Sequence, residues 1–232
     1  MPELLTSIHW GAVFQIVIID ILLGGDNAVV IALACRNLPR QQRTLGIVWG
    51  TAGAIILRLV LVSFAVFLLE IPFIKLAGGL LLFWIGIRLV LPEPEGHKDI
   101  ASSDRLWSAV RTIIVADLVM SLDNVIAIAG AAQAADESHR IALVAFGLVL
   151  SIPLIIWGSQ LVLKAIDRFP VIVIAGAGLL GWIGGGLIIN DPVTDGYPIL
   201  DTAWAQYGAH AAGMVFVILI GFLLKLRRSR LV

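Results

Sequence analysis

The chain of 232 residues is 59% hydrophobic and only 14% charged, and its mean hydropathy is +1.00. This composition excludes a soluble globular domain and indicates an integral membrane protein. The formal net charge is zero, with 16 basic and 16 acidic residues. We therefore expect no nucleic-acid partner, because no global field would attract one.

Seven apolar segments are each long enough to cross a membrane as a helix, which needs about 20 residues. In chain order they cover 10–34, 46–69, 73–91, 112–132, 141–163, 171–189 and 203–224. The longest connection is polar and too short for a domain. The sequence therefore predicts an all-α polytopic protein with a single transmembrane domain over residues 1–232. The first segment is too long for a cleaved signal and is expected to stay as a helix.

Basic residues are distributed unevenly between the two sides that these segments define. Thirteen lie at the first, third and fifth connections and at the C-terminus, whereas only Lys75 and Arg140 lie on the other side. By the positive-inside rule, the N-terminus is expected outside and the C-terminus in the cytoplasm. The single cysteine, Cys35, excludes an internal disulfide and is expected to serve packing alone.

The chain repeats its own pattern in inverted form. A shift of 97 residues places two aspartates and an asparagine on identical residues: Asp20, Asp26 and Asn27 on Asp117, Asp123 and Asn124. A shift of 98 aligns residues 71–89 with 169–187. Each repeat has three segments, so the second enters the membrane from the opposite side. We predict repeat one over 10–91, repeat two over 107–189 and an extra helix over 203–224, an arrangement typical of secondary transporters with a site near the midplane.

Four of the aspartates lie within predicted spans, where a charge at the bilayer centre costs at least about 2.5 to 3.5 kcal/mol. The only basic residue deep in a span is Arg58, which cannot neutralise all four. We therefore predict that the acidic segments line an internal ion site. Arg58 is predicted to lie against this site as a counter-charge.

Helix geometry favours convergence of these side chains, because residues seven apart on a helix share a face. Asp20 shares a face with Asn27, and Asp117 shares one with Asn124. A break at the Gly24–Gly25 pair would also turn the neighbouring aspartate inward.

Oxygen ligands of this kind suit Mn²⁺, Mg²⁺ or Ca²⁺ rather than zinc or copper. The predicted metal ligands are Asp20, Asp26, Asn27, Asp117, Asp123 and Asn124. Ser121 is a further oxygen near them. We expect no prosthetic group, because the divalent metal ion is the substrate.

Two stretches, DILLGGDNAVVIALACRNLP (20–39) and ADLVMSLDNVIAIAGAA (116–132), resemble the paired signatures of the TerC family of integral membrane proteins. Within it, they resemble the YjbE-type bacterial branch linked to manganese export. The resemblance implies a bacterial plasma-membrane Mn²⁺ exporter, not an enzyme, with membrane lipid as its surroundings. Related proteins have been tied to tellurium resistance and to metal supply for secreted enzymes, so the family alone does not fix the substrate.

Other functions compatible with the same residues are an accessory protein supplying metal to exported metalloenzymes, a Ca²⁺ or Mg²⁺ transporter, and an intramembrane aspartyl protease. The protease would use Asp26 and Asp123 as a dyad. Its G-x-G-D pattern is not met, because Leu23 stands where the first glycine should be. The acidic outer loop 190–201 is expected to be a solvated turn, or else to attract cations or a client. Homo-oligomerisation is left open, and protons are the expected coupling ion, with sodium the nearest rival.

Overall fold

The computed structural model describes residues 10–64, 71–91, 102–132, 140–194 and 196–229. Within these ranges, some side chains are not described: those of residues 10–16, 19–24, 102, 123, 125–132, 140–143 and 228–229. The described residues form seven α-helices: α1 (Trp10–Cys35), α2 (Arg40–Ser63), α3 (Ile74–Val90), α4 (Ser102–Ala132), α5 (Arg140–Arg168), α6 (Val171–Ile189) and α7 (Ala203–Ser229). A short 3₁₀ helix, Pro192–Thr194, follows α6.

The predicted all-α class is confirmed, and each predicted span corresponds to one helix. Four helical segments within the described residues are long and apolar enough to cross a membrane: Arg40–Ser63, Val144–Arg168, Val171–Ile189 and Ala203–Arg227. Several helices extend beyond the predicted spans: α2 begins at Arg40 rather than 46, and α4 begins at Ser102 rather than 112. Hydropathy marks only the apolar part of a helix, whereas these polar first turns continue the same backbone hydrogen bonding.

Helix α1 is continuous from Trp10 to Cys35, so the break that Gly24 and Gly25 could have caused does not occur. Each glycine costs about 1 kcal/mol relative to alanine in a helix interior. Tertiary packing overrides that cost here, because α1 packs along α5 and α4. Its C-terminal end is buried in an apolar cluster that includes Cys35, which confirms the packing role predicted for the cysteine.

The closest helix pairs are α6 with α7, α3 with α6, α1 with α5 and α2 with α4. Glycines allow the backbones of α3 and α6 to approach: a methyl group at Gly79 would lie 2.5 Å from the carbonyl oxygen of Gly184. About two turns further along α3, a methyl group at Gly86 would lie 3.2 Å from the carbonyl oxygen of Ala177 in α6. Small residues are typical of helix contacts in membranes, where close approach supplies much of the attraction.

One end of the bundle, which we name the basic end, holds the C-terminal ends of α1, α3, α5 and α7 and the N-terminal ends of α2, α4 and α6. An ion pair of 2.7 Å between Arg43 and Asp167 joins α2 to α5 there. Leu89 of α3 and Leu106 of α4 pack against the same apolar cluster. The basic residues described at this end are Arg36, Arg40, Arg43, Arg88, Arg105, Arg111, Lys164, Arg168, Lys225 and Arg227.

Candidate functional site

A buried ion pair joins α2 to α4 in the interior of the bundle. The guanidinium Nη2 of Arg58 donates to Asp117 Oδ1 at 2.5 Å, and its Nε donates to Ser121 Oγ at 3.0 Å. The Ser121 hydroxyl in turn donates to Asp117 Oδ2 at 3.1 Å. Arg58 is 2% exposed and Asp117 is 6% exposed. The predicted position of Arg58 as a counter-charge is therefore confirmed for Asp117.

The helix geometry explains why these three groups meet. Asp117 and Ser121 are four residues apart, so they lie about one turn apart on the same face of α4. Small residues of α2 let it approach that face, since a methyl group at Gly50 would meet the side chain of Ile113. A buried pair is stable only when further hydrogen bonds satisfy both ions, and Ser121 supplies one such bond to each partner.

Asp26 of α1 lies near this ion pair. It interacts electrostatically with both Arg58 and Asp117, and its Oδ1 accepts the backbone N–H of Asn27 at 2.8 Å. The Asp26 side chain is half-buried. The structure thus places one acidic residue from each of the two similar segments within electrostatic range of the Arg58 guanidinium.

Asn27 is 4% exposed, and within the part of the chain that the structure describes neither its Nδ2 nor its Oδ1 has a hydrogen-bond partner. Burying an amide without partners costs about 1 to 3 kcal/mol in proteins. Thr51 of α2 is also buried, and its hydroxyl has no partner among the described residues. Buried Ser151 and Ser159, in contrast, donate to carbonyl oxygens of their own helix, Leu148 and Ile155.

Thr51 is not among the site residues predicted from the sequence, although its spacing from Arg58 indicates that it belongs near them. It lies seven residues before Arg58 and so shares the helix face that carries the charge. A threonine alone in an apolar helix ordinarily bonds to its own backbone, and therefore attracts no notice.

The remaining predicted ligands are placed less fully. Asn124 is half-buried and has at least one interaction partner. The side chains of Asp20 and Asp123 lie outside the described residues. Among the side chains that are described, no three His, Cys, Asp or Glu residues form a group suited to a metal ion. The six-residue ligand set therefore stays a prediction, of which Asp26, Asn27 and Asp117 are located in the interior.

Asp191 corrects the expectation of a solvated turn over 190–201, because its side chain is fully buried. Its carboxylate accepts the backbone N–H groups of Phe73 and Leu76 at 2.9 and 3.0 Å, at the N-terminus of α3. Phe73 has a left-handed backbone with φ of 67°, which is strained for an aromatic residue. Asp191 thus caps a helix from a distant connection and offsets that strain. Asp201, in the same loop, is exposed, as expected.

Burial of the Asp191 carboxylate acts to raise its pKa, but the surrounding backbone N–H groups outweigh burial and hold the pKa below its ordinary value of 3.8. We expect Asp191→Asn to lower the free energy of unfolding at pH 7 by about 1 to 2 kcal/mol, the range for a lost cap. Because the folded-state pKa is the lower one, this contribution is present above pH 3.8 and is lost as the pH falls through the folded-state value.

Thermal unfolding of both proteins in detergent, at pH 7 and at successive values below 3.8, measures the effect. Asp201→Asn is the matched control in the same connection, and should change stability by less than about 0.5 kcal/mol as an exposed substitution. Equal effects of the two substitutions would show that the cap contributes nothing.

Comparison with known proteins identifies the group to which the chain belongs. The family model described as "Integral membrane protein TerC family" matches residues 5–229. The chain is 50% identical over 176 residues to the membrane protein YjbE of Bacillus subtilis (strain 168), covering 76% of this chain and 78% of YjbE. No solved structure matches the chain.

Two more distant relatives are also membrane proteins by name. The membrane protein YceF of Bacillus subtilis (strain 168) is 28% identical over 178 residues, or 72% of this chain and 67% of YceF. The inner membrane protein YgdQ of Escherichia coli (strain K12) is 27% identical over 200 residues, or 78% of this chain and 81% of YgdQ. With a family match over nearly its whole length and apolar helices of spanning length, the chain belongs to the TerC family of integral membrane proteins.

Proposed function

We propose that this protein is a secondary transporter that exports Mn²⁺ from the cytoplasm in exchange for protons. The observation that carries the proposal is the polar group in the bundle interior, where Asp26, Asn27 and Asp117 lie among apolar helices. Ionisable residues inside a membrane domain are costly, and they mark ion pathways more often than packing.

Charge balance supports an ion in this interior. Arg58 contacts Asp117 directly, and it is the one basic residue deep in a predicted span, against four aspartates in the two similar segments. A divalent cation would supply the further positive charge. The Asn27 amide, which has no partner among the described side chains, supports the same function, because its oxygen is a hard neutral ligand of the kind that Mn²⁺, Mg²⁺ and Ca²⁺ accept.

The inverted-repeat arrangement belongs to this proposal, and the helix packing supports it. In the two repeats, α1 corresponds to α4 and α2 corresponds to α5. The packing of α1 against α5 is therefore equivalent to the packing of α4 against α2, and both pairs are among the closest in the bundle. The shift of 98 likewise turns the contact of Gly79 with Gly184 into that of Ala177 with Gly86, and both occur. A site near the midplane, where the two repeats meet, is the expected location in such transporters.

Energetics favour coupling to an ion gradient. Moving a doubly charged ion out against an inward-negative potential costs about 4.6 kcal/mol per 100 mV. The sequence contains no nucleotide-binding motif. Clustered carboxylates in a low-dielectric interior resist being ionised together, so protons and metal compete for the same oxygens. We place the protein in the bacterial plasma membrane, with the basic end in the cytoplasm by the positive-inside rule.

The test is transport by the purified full chain in liposomes. An imposed proton gradient should drive Mn²⁺ in the direction opposite to the protons, and Ca²⁺ and Mg²⁺ at equal concentration should move more slowly. Protein-free liposomes and a sodium gradient of equal size are the controls. Mn²⁺ movement that follows sodium alone would exclude proton exchange, and Ca²⁺ or Mg²⁺ transport in preference to Mn²⁺ would overturn the metal assignment. An absence of any metal flux would favour the accessory role in metal supply.

A further inference from the structure

A groove lies between α3 and α4 at the basic end, apart from the polar group in the bundle interior. Its volume is about 570 Å³. Trp84 and Arg88 line it from α3, and Asp104, Trp107 and Arg111 line it from α4. The groove therefore combines two guanidinium groups, one carboxylate and two indole rings within a small space.

The two arginines are available to a ligand. Within the part of the chain that the structure describes, neither Arg88 nor Arg111 has a carboxylate within ion-pair distance, and both are exposed. The guanidinium of Arg88 lies over the Trp84 ring, 5.3 Å from its centroid, and so beside an indole that also lines the groove. With Asp104 included, the formal charge of the groove is +1, which matches one phosphodiester.

The position of the groove fits a lipid headgroup. Arg88 is in the last turn of α3 and Asp104 is in the first turn of α4, so the polar part lies where the two helices approach the membrane boundary. Trp84 and Trp107 are each more than half exposed, and tryptophan is enriched at membrane interfaces. Leu81 and Val115, farther from these helix ends, continue the lining with apolar side chains that suit an acyl chain.

We propose that this groove binds an anionic phospholipid of the surrounding leaflet, such as phosphatidylglycerol. The phosphate lies between the guanidinium groups of Arg88 and Arg111, and one acyl chain follows Leu81 toward the membrane core. Asp104 accepts hydrogen bonds from the headgroup glycerol. Basic pockets between transmembrane helices bind anionic headgroups in this manner. The proposal does not depend on transport.

Native mass spectrometry of the purified full chain with added lipid tests the proposal. Phosphatidylglycerol should bind more tightly than phosphatidylethanolamine of the same acyl chains. Arg88→Gln and Arg111→Gln should each weaken its binding about fivefold, since a basic residue near the surface contributes about 1 kcal/mol. The double variant should weaken it about 25-fold.

Arg168→Gln is the matched control. Arg168 is also an exposed arginine at the basic end, and its guanidinium also lies over an aromatic ring, 5.7 Å from the Phe169 centroid. It lies outside the groove, so this variant should bind phosphatidylglycerol within twofold of the unmodified protein. An equal loss in Arg168→Gln would show diffuse surface attraction and would overturn the site.

Two further outcomes count against the lipid. Equal binding of both phospholipids by the unmodified protein would exclude recognition of an anionic headgroup. This comparison uses no variant, so it does not depend on whether a variant folds. Displacement of phosphatidylglycerol by inorganic phosphate at equal concentration would show that the groove recognises free phosphate instead.

Discussion

Asp117→Asn is expected to lower the free energy of unfolding by about 3 to 5 kcal/mol, which is typical of breaking a buried ion pair by removing one partner. The substitution removes the carboxylate that contacts the Arg58 guanidinium at 2.5 Å. Arg58 is 2% exposed, so water cannot replace the lost charge without opening the helix contact. Thermal and denaturant unfolding of the purified protein in one detergent measure the loss.

Two comparisons separate the ion pair from a general effect of the substitution. Arg58→Met together with Asp117→Asn should be less destabilising than Asp117→Asn alone, because the double variant leaves no uncompensated arginine. Asp167→Asn breaks the ion pair between Asp167 and Arg43, and this pair is far more exposed to solvent than the pair of Arg58 with Asp117. The substitution should therefore lower the free energy of unfolding by at most about 1 kcal/mol. If Asp117→Asn costs no more than Asp167→Asn, the buried pair does not stabilise the fold.

Asp26→Asn is expected to abolish Mn²⁺ transport, by at least about 100-fold, while changing the free energy of unfolding by less than about 1 kcal/mol. The two side chains have nearly the same shape, so the change removes charge and proton exchange but not volume. The half-buried position of Asp26 allows the neutral amide to remain solvated. Metal flux into liposomes that contain equal amounts of protein measures the effect.

Asp201→Asn makes the same chemical change at an exposed position in the connection between α6 and α7. This control should transport Mn²⁺ within twofold of the unmodified protein. Near-normal flux through Asp26→Asn would remove Asp26 from the ion path. Loss of flux together with a lowered melting temperature would instead assign Asp26 a structural role.

Much of this architecture is predictable because the membrane restricts what a chain can do. Each apolar segment became one helix, and the cost of a charge in the interior was enough to predict that Arg58 lies against an aspartate. The repeat does not predict which aspartate Arg58 contacts. The second repeat has Ile155, not an arginine, at the equivalent position, so the two halves cannot be compared there. That choice depends on how closely α2 approaches α4.

The features that escaped prediction depend on contacts between distant parts of the chain. Gly24 and Gly25 favour a break locally, yet packing keeps α1 helical through them. In the sequence, Asp191 is one of several acidic residues in a polar loop. Its burial is explained by the N-terminus of α3, which packs beside it and donates backbone hydrogen bonds to its carboxylate. Thr51 likewise differs from Ser151 and Ser159 in having no hydroxyl partner among the described residues, and the sequence does not show that difference.

The glycine contacts of α6 restrict how the bundle can deform. A methyl group at Gly181 would lie 2.5 Å from the carbonyl oxygen of Gly213 in α7, just as one at Gly79 would lie 2.5 Å from that of Gly184. Sliding either neighbour along α6 would drive larger side chains into backbone oxygens, so these helices resist shear. The Asp191 cap ties the α6–α7 connection to α3 as well. Helices α3, α6 and α7 therefore form a stiff frame, and the change of access that the proposed transport requires would fall to α1, α2, α4 and α5.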